Sequence, residues 1–357
     1  MSRLRVTECG IMFWDSGTLV WDDYVRHRQF GLTEDSAQVL RWFAGWREPE
    51  TVDELGARYR AIAHRLLASG ILIREHSAEH EAEQHLLAEW QAWGPATRCH
   101  HFAARTPEDT QYLALSDDVA RSAQRAEHDP PPPPAKSYPG RPLIPLPTDR
   151  PVDIDWPRTT LLDVLYARRS TREFSSAPVS LELLAAMVRI GGGAVEILQH
   201  PDIGPVLFKT SPSAGARTPL ELYVYVNRVQ GLSAGVYHFA PLSGGLEDLG
   251  RSAGRDELLT AVGGQPWLAD CAFLLIHTAV IARTRWRYRS RRAYRDILIE
   301  VGHVSQTLLL TATAMGLGAV TATAVRDELV EQLIGCDGIA EPVLAVTAVG
   351  VPASGSR

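Results

Sequence analysis

From Leu32 to Trp42 apolar residues fall at helical spacing, carried on through Leu40 and Phe43, and Thr51-Val52-Asp53-Glu54 has the form of a capping box that opens a second helix. A third helix carries Ile62, Leu66 and Leu67, stops at Gly70 and runs into the strand-like Ile71-Leu72-Ile73. Residues 1–75 therefore read as a small helical unit closed by a short hairpin. A further amphipathic stretch surrounds Leu86, Leu87, Trp90 and Trp93 within a charged, His-containing segment at 76–128. The pattern breaks at Pro130 to Pro134, where successive prolines force extended polyproline backbone, either a linker or an arm draped over the next domain.

Beyond Asp153 the pattern is dense. Leu161 to Ala167 reads as a helix, and Ser180 caps another with Leu181, Leu184, Met187 and Val188 on one face, ended by Gly191-Gly192-Gly193. Leu220 to Val226, Val236 to Phe239, Ala272 to Val280, Ala319 to Val325 and Val343 to Val351 read as strands, and Asp296 to Met315 as the longest helix. Strands and helices interleave too loosely for a simple βαβ repeat, which predicts an α+β fold with a central sheet flanked by helices. The expected organisation is a winged-helix-like domain at 1–75, a charged helical segment and Pro-rich linker at 76–152, and a larger domain at 153–357.

Composition changes this picture little. The 357 residues are 45% hydrophobic and 22% charged, ordinary for a folded soluble chain, and the net charge of −6 excludes broad binding to nucleic acid or anionic membrane. Cys9, Cys99, Cys271 and Cys336 form no C-x-x-C pair, and Cys99-His100-His101 lacks a third ligand nearby in sequence, so no metal is expected. No basic-then-apolar leader opens the chain, and the uncharged run from Thr307 to Val325 is broken at Gly316-Leu317-Gly318, which predicts a buried helix turning into a strand and a cytoplasmic protein. The third helix, with Arg58, Arg60, His64 and Arg65, is only modestly basic, so a packing or peptide-binding role suits the first domain better than DNA reading.

The candidate chemistry lies in two segments. Arg168-Arg169-Ser170-Thr171-Arg172 offers a fork of guanidinium groups with a hydroxyl between them, the donor set a phosphate monoester requires. Pro212-Ser213-Ala214-Gly215-Ala216-Arg217 lacks bulk, so its backbone amides can approach a flat ligand. A phosphate-tailed planar cofactor such as FMN fits both.

With Pro219-Leu220-Glu221-Leu222-Tyr223, Gly235-Val236-Tyr237-His238, Ala293 through Gln306 and Met315-Gly316-Leu317-Gly318-Ala319, these blocks resemble the nitroreductase-like flavoenzymes, and within them the SagB-type dehydrogenases that include the McbC-like thiazole/oxazole oxidases. The resemblance implies an α+β homodimer with FMN at the subunit interface, a modified precursor peptide as substrate and a cyclodehydratase as partner. It implies that Arg168, Ser170 and Arg172 hold the FMN phosphate and ribityl chain. Pro212, Ser213, Ala214, Gly215 and Arg217 would line the ring, and Gly318, Ala319, Val320 and Thr321 would approach its pyrimidine side. The first domain is similar to an extension associated in the family with peptide engagement.

Azole-forming members carry a Lys-Tyr pair shortly before the long helix. Here that segment reads Arg283-Thr284-Arg285-Trp286-Arg287-Tyr288-Arg289-Ser290-Arg291-Arg292, with Arg287 at the lysine position. A guanidinium stays protonated and cannot take a proton. Tyr288 is then the acid/base, with Arg287 its electrostatic partner in a dense positive field. His238 and His303 read as satisfied core or interface histidines, and Gln306 shares the helix side of His303. Three activities remain open: dehydrogenation of an azoline to an azole, NAD(P)H-driven reduction of a dehydroamino acid or other activated alkene, and a non-catalytic peptide-binding scaffold.

Overall fold

The computed structural model describes residues 2–147, 156–157 and 159–355, and divides into two compact units, Met1–Tyr112 and Leu113–Arg357. The expected junction at 152/153 lies outside the described residues.

In the first unit, β1 (Leu4–Val6) is followed by an antiparallel meander of β2 (Ile11–Asp15), β3 (Thr18–Asp23) and β4 (Arg28–Leu32). Then come α1 (Glu34–Trp42), a 3-10 turn at Pro49–Leu55, α2 (Ala57–Ala68), β5 (Leu72–Arg74), α3 (Ala78–Trp90) and α4 (Gly94–Ala103). Thr33 caps α1, its Oγ1 accepting from the Ser36 N–H at 3.2 Å. Leu4, Trp21, Phe43, Ile62, Leu66 and Leu72 meet in one core.

Two local expectations fail here. Thr51 to Glu54 forms no capping box, because the Thr51 hydroxyl donates to the Glu48 carbonyl at 2.7 Å inside the 3-10 turn while accepting from Trp42 Nε1 at 3.1 Å. Ile71 to Ile73 closes no hairpin with a neighbour in sequence, because β5 pairs antiparallel with β1, Val6 opposite Leu72.

The second unit begins with α5 (Leu115–Ala126), the proline arm, β6 (Leu143–Pro145), α6 (Leu161–Ala167) and α7 (Leu181–Gly192). It continues through a hairpin of β7 (Ala194–His200) and β8 (Gly204–Lys209), then β9 (Leu220–Val226), β10 (Gly235–Ala240) and β11 (Gly245–Arg251). The remainder is α8 (Arg255–Ala261), α9 (Pro266–Ala269), β12 (Phe273–Ala279), α10 (Ile281–Arg287), α11 (Ala293–Ala314), β13 (Gly318–Ala322), α12 (Asp327–Ile334) and β14 (Val343–Gly350).

Among the described residues seven strands form an antiparallel sheet in the order β13-β14-β12-β9-β10-β11-β6. Strand periodicity explains its two cores. Leu220, Leu222, Val224 and Val226 of β9 point to one face, with Met187 of α7 and Leu308 of α11, while Tyr223 and Tyr225 point to the other, with Leu258, Leu268 and Val330 from α8, α9 and α12. The sheet is thus covered on both sides, as the α+β reading predicts.

Helix α11 is long and apolar enough to cross a membrane by length and composition. Here it packs on α7, β13 and β14. The glycines expected to end α7 include two that lie inside it: a Cβ on Gly191 would sit 2.6 Å from Leu308 Cδ2, so this glycine sets how closely α7 approaches α11. Of the two readings of the prolines, the structure takes the arm. Arg283 Nε donates to the Pro133 carbonyl at 2.7 Å, Thr218 Oγ1 to that of Pro134 at 3.1 Å, and the Lys136 N–H to Glu221 Oε1 at 2.7 Å.

Candidate active site

Helix α6 delivers the arginine segment to the sheet edge. Arg169 Nη1 donates to the carbonyls of Tyr166 and Arg168 at 2.8 Å each, answering the negative end of α6. Past it the chain runs along β13: Ser170 bridges Ala319 in parallel and the Thr171 N–H donates to the Ala319 carbonyl at 3.1 Å. A Cβ on Gly318 would stand 2.6 Å from Thr171 Cγ2, so glycine permits this contact. The clamp and residues 318–321 are therefore joined. Within that strand the Val320 side chain is buried, and Thr321 Oγ1 bonds Thr347 Oγ1 at 2.9 Å. Arg172 reaches over the Trp267 ring, 5.6 Å from its centroid.

Beside the clamp opens a cavity of about 980 Å³ whose lining includes Arg169, Ser170, Arg172, Thr313, Gly316 and Leu317. Gly316 has φ +73° and open space where a Cβ would point, leaving its backbone bare to a ligand. None of residues 212–217 lines this cavity.

The small-residue segment forms a 3-10 turn at Ala214–Ala216, with Gly215, Ala216 and Thr218 in left-handed conformations at φ 57°, 50° and 44°. Such backbone persists only where its surroundings hold it. Three consecutive residues are held from α11: Ser211 Oγ bonds Thr307 Oγ1 at 2.8 Å, the Pro212 carbonyl lies 3.3 Å from His303 Nδ1, and Ser213 hydrogen-bonds the Glu300 carboxyl. The Thr218 N–H donates to Ser213 Oγ at 2.8 Å, and Arg283 Nη1 to the Thr218 carbonyl at 3.0 Å. Arg217 is buried, its guanidinium 5.6 Å from the Trp286 ring centroid.

Glu300, Thr307 and Arg283 were not singled out from the sequence. For Glu300 and Thr307 the signal is their spacing from His303, three and four positions, which puts the three polar side chains on one face of the helix. Burial raises the Glu300 carboxyl to about 7, against the Ser213 hydrogen bond and the charges of Lys209 and His303. Burial in turn lowers the Lys209 ammonium. His303 and Gln306 are exposed, so His303 belongs to no core; His238 does, with no exposed surface and bonds from Nδ1 to Glu247 at 2.7 Å and from Nε2 to Glu221 at 3.1 Å. Burial alone would raise Glu221, but the His238 hydrogen bond and the Arg283 charge hold it at about 2.

Tyr288 ends α10, and its hydroxyl rests on the platform: a Cβ on Gly215 would stand 2.6 Å from it. Arg287 lies 6.0 Å from the Tyr288 ring centroid, with its guanidinium bonded to Ser122 and, at 2.5 Å, to Asp118 of α5. The positive field is less dense than the sequence suggests, since Arg283 is paired with Glu221, Arg287 with Asp118 and Arg289 with Asp129. Among the described residues no group of three or more His, Cys, Asp or Glu could hold a metal ion.

Residues 165–351 match the nitroreductase family. A protein of Methanocaldococcus jannaschii that carries the nitroreductase name is 36% identical over 174 residues, 49% of this chain and 83% of its own. The trifolitoxin-processing protein TfxB of Rhizobium leguminosarum bv. trifolii is 27% identical over 175 residues, 48% of this chain; the chain spans 47% of that relative's length. A nitroreductase-type crystal structure from Anabaena variabilis superposes with a TM-score of 0.55 at 22% identity, over 73% of this chain and 48% of its own, which speaks for the fold.

Members of this family bind FMN. The residues present fit that cofactor. The cavity lies in the range of about 300–1,000 Å³ that small-molecule sites occupy. It joins guanidinium groups and hydroxyls suited to a phosphate to a bare glycine backbone suited to a ring edge.

Proposed function

The chain belongs to the nitroreductase family, and from that premise we propose that this oxidoreductase dehydrogenates an azoline to an azole in a modified precursor peptide, as a SagB-type dehydrogenase. Arg168, Ser170 and Arg172 hold the FMN phosphate end, the backbone of Gly318 to Thr321 borders the ring, and the Pro212–Arg217 platform covers it. Bound FMN supplies the two-electron acceptor that such a reaction requires. The chain's own residues handle the proton. Tyr288, acting as the phenolate, receives it, and Arg287, fixed by Asp118 and Ser122, is its electrostatic neighbour.

The observation that carries this reading is the Tyr288 hydroxyl against Gly215, on the segment that would meet the ring. A peptide substrate is supported by the trifolitoxin-processing relative. The first unit, read as winged-helix-like, would hold the peptide while one ring reacts, raising its local concentration. A homodimer, with a cyclodehydratase supplying azolines, completes the proposal.

A synthetic azoline peptide incubated with FMN-loaded protein is expected to lose two hydrogens by mass spectrometry. Tyr288→Phe should retain FMN, seen in its visible spectrum, and turn over at least about a hundredfold more slowly, the scale of a lost general acid or base. Undiminished turnover in that variant would sink the assignment. The arginine at 287 favours a second reading, reduction of a dehydroamino acid with NAD(P)H, for which the peptide gains two hydrogens instead.

A further inference from the structure

A second cavity, of about 620 Å³, is lined in part by Tyr288 and shares no lining residue with the one beside the clamp. Pro130 and Pro132 of the arm form one wall, while Ile281, Trp286 and Ile297 give it an apolar floor. That wall is fixed in place: Trp286 Nε1 donates to the Asp129 carbonyl at 2.6 Å, and the Arg283 bond to Pro133 follows four residues on.

The arginines of this region divide by environment. Arg283 is buried and Arg287 is partly buried, and each is paired with a carboxylate, Glu221 and the partly exposed Asp118. Arg285, Arg289 and Arg291 line the cavity, against a single carboxylate, Asp129. Arg289 pairs with Asp129 at 2.9 Å in an exposed ion pair, of the kind that contributes little. Arg285 is exposed and makes no ion pair among the described residues. A chain of net charge −6 thus concentrates positive charge on an apolar recess beside the proposed acid/base.

We propose that this cavity docks an acidic segment of the peptide substrate, with the Arg285 guanidinium reading a carboxylate while the neighbouring apolar floor takes adjacent side chains. The proposal deepens the preceding reading and rests on its peptide substrate. Charge complementarity sets the class of ligand. The excess is local and the molecule as a whole is negative, which disfavours a polyanion such as nucleic acid. The floor is apolar and the rim forked, which suits an amphipathic chain bearing carboxylates.

The test separates docking from turnover by using unheterocyclised peptides. Binding of a short peptide with two glutamates beside a Ser-Cys core is compared by calorimetry with its diglutamine counterpart, on the FMN-loaded protein. The glutamate peptide should bind about tenfold more tightly, the ratio that one additional charge-assisted hydrogen bond gives. Arg285→Gln should abolish that preference with the flavin spectrum unchanged, Arg285→Glu should reverse it, and 1 M salt should erase it in the wild type, because screening there acts within about 3 Å. Equal binding of both peptides to the wild type would overturn the proposal, even if azoline peptides were still oxidised. So would an Arg285→Gln variant that loses affinity for NADPH while keeping its peptide preference, since the arginine would then read a cofactor phosphate. Persistence of the Arg285-dependent preference without dehydrogenation would uphold the docking site and remove the azoline reading.

Discussion

Glu300 is buried on α11 and bonds Ser213 of the platform, and that position puts an ionisable group under strain. Its folded-state value of about 7 lies above the ordinary 4.5, so the fold prefers the neutral acid. Below about pH 4.5 the group is protonated whether the chain is folded or not, and contributes nothing to pH dependence. Between 4.5 and 7 the unfolded chain ionises first, so stability falls as pH rises, and above 7 the loss is constant. Glu300→Gln is neutral throughout. It should therefore gain on the wild type across that window, by on the order of 3 kcal/mol, read from urea midpoints of the FMN-loaded proteins between pH 4.5 and 8.5. Parallel profiles would show that Glu300 is not the buried acid described. The sequence hides this residue because a glutamate on a helix ordinarily marks a solvated face. Arg168, Ser170 and Arg172 could be proposed from the sequence because their chemistry is written in neighbouring residues, whereas Glu300 acquires its role only when the platform, 87 positions away, folds onto it.

Helix α11 does two jobs at different points along its length. Its Glu300, His303 and Thr307 hold the platform, and its Leu308 fits against Gly191 of α7. Gly191→Ala would force a Cβ to 2.6 Å from a fully buried leucine in a packed core, where side chains have little room to move. A loss of about 1–3 kcal/mol is expected in chemical denaturation, offset in part by alanine's better helix propensity. Stability equal to the wild type would mean that the two helices can separate without cost. Most elements of the second unit were readable at this level. α6 matches its predicted span, Leu161 to Ala167, and β9 its own, Leu220 to Val226, because capping residues and apolar periodicity mark them locally. The hairpin of β7 and β8 and the meander of β2 to β4 were not, since much of both lies exposed and neither shows a clean apolar face. The pairing of β5 with β1 was beyond reach for a different reason: pairing over that separation leaves no local mark.

One protomer leaves the proposed flavin site divided. The cavity beside the clamp is lined by none of residues 212–217, while the platform faces Tyr288. The same protomer exposes apolar side chains on two helices in mutual contact: Leu161, Leu162, Leu165 and Tyr166 on α6, and Leu298 and Ile299 on α11. Leu161 is 70% exposed and Tyr166 75%, and Tyr166 also lines the clamp's cavity. Clustered apolar exposure of this kind marks a surface that another protein covers, and family members are often dimers. A two-fold interface repeats the same patch on both partners, so one apolar surface can cover itself while bringing a second platform to each clamp. The double variant Leu162→Glu, Ile299→Glu places four like charges in such an interface. Light scattering should give the mass of two chains for the wild type and of one for the variant, and the variant should lose flavin colour on gel filtration while keeping its far-UV circular dichroism. A variant that stays dimeric and yellow would move the interface elsewhere, and a wild type that is monomeric yet retains FMN would mean that one chain's clamp is sufficient.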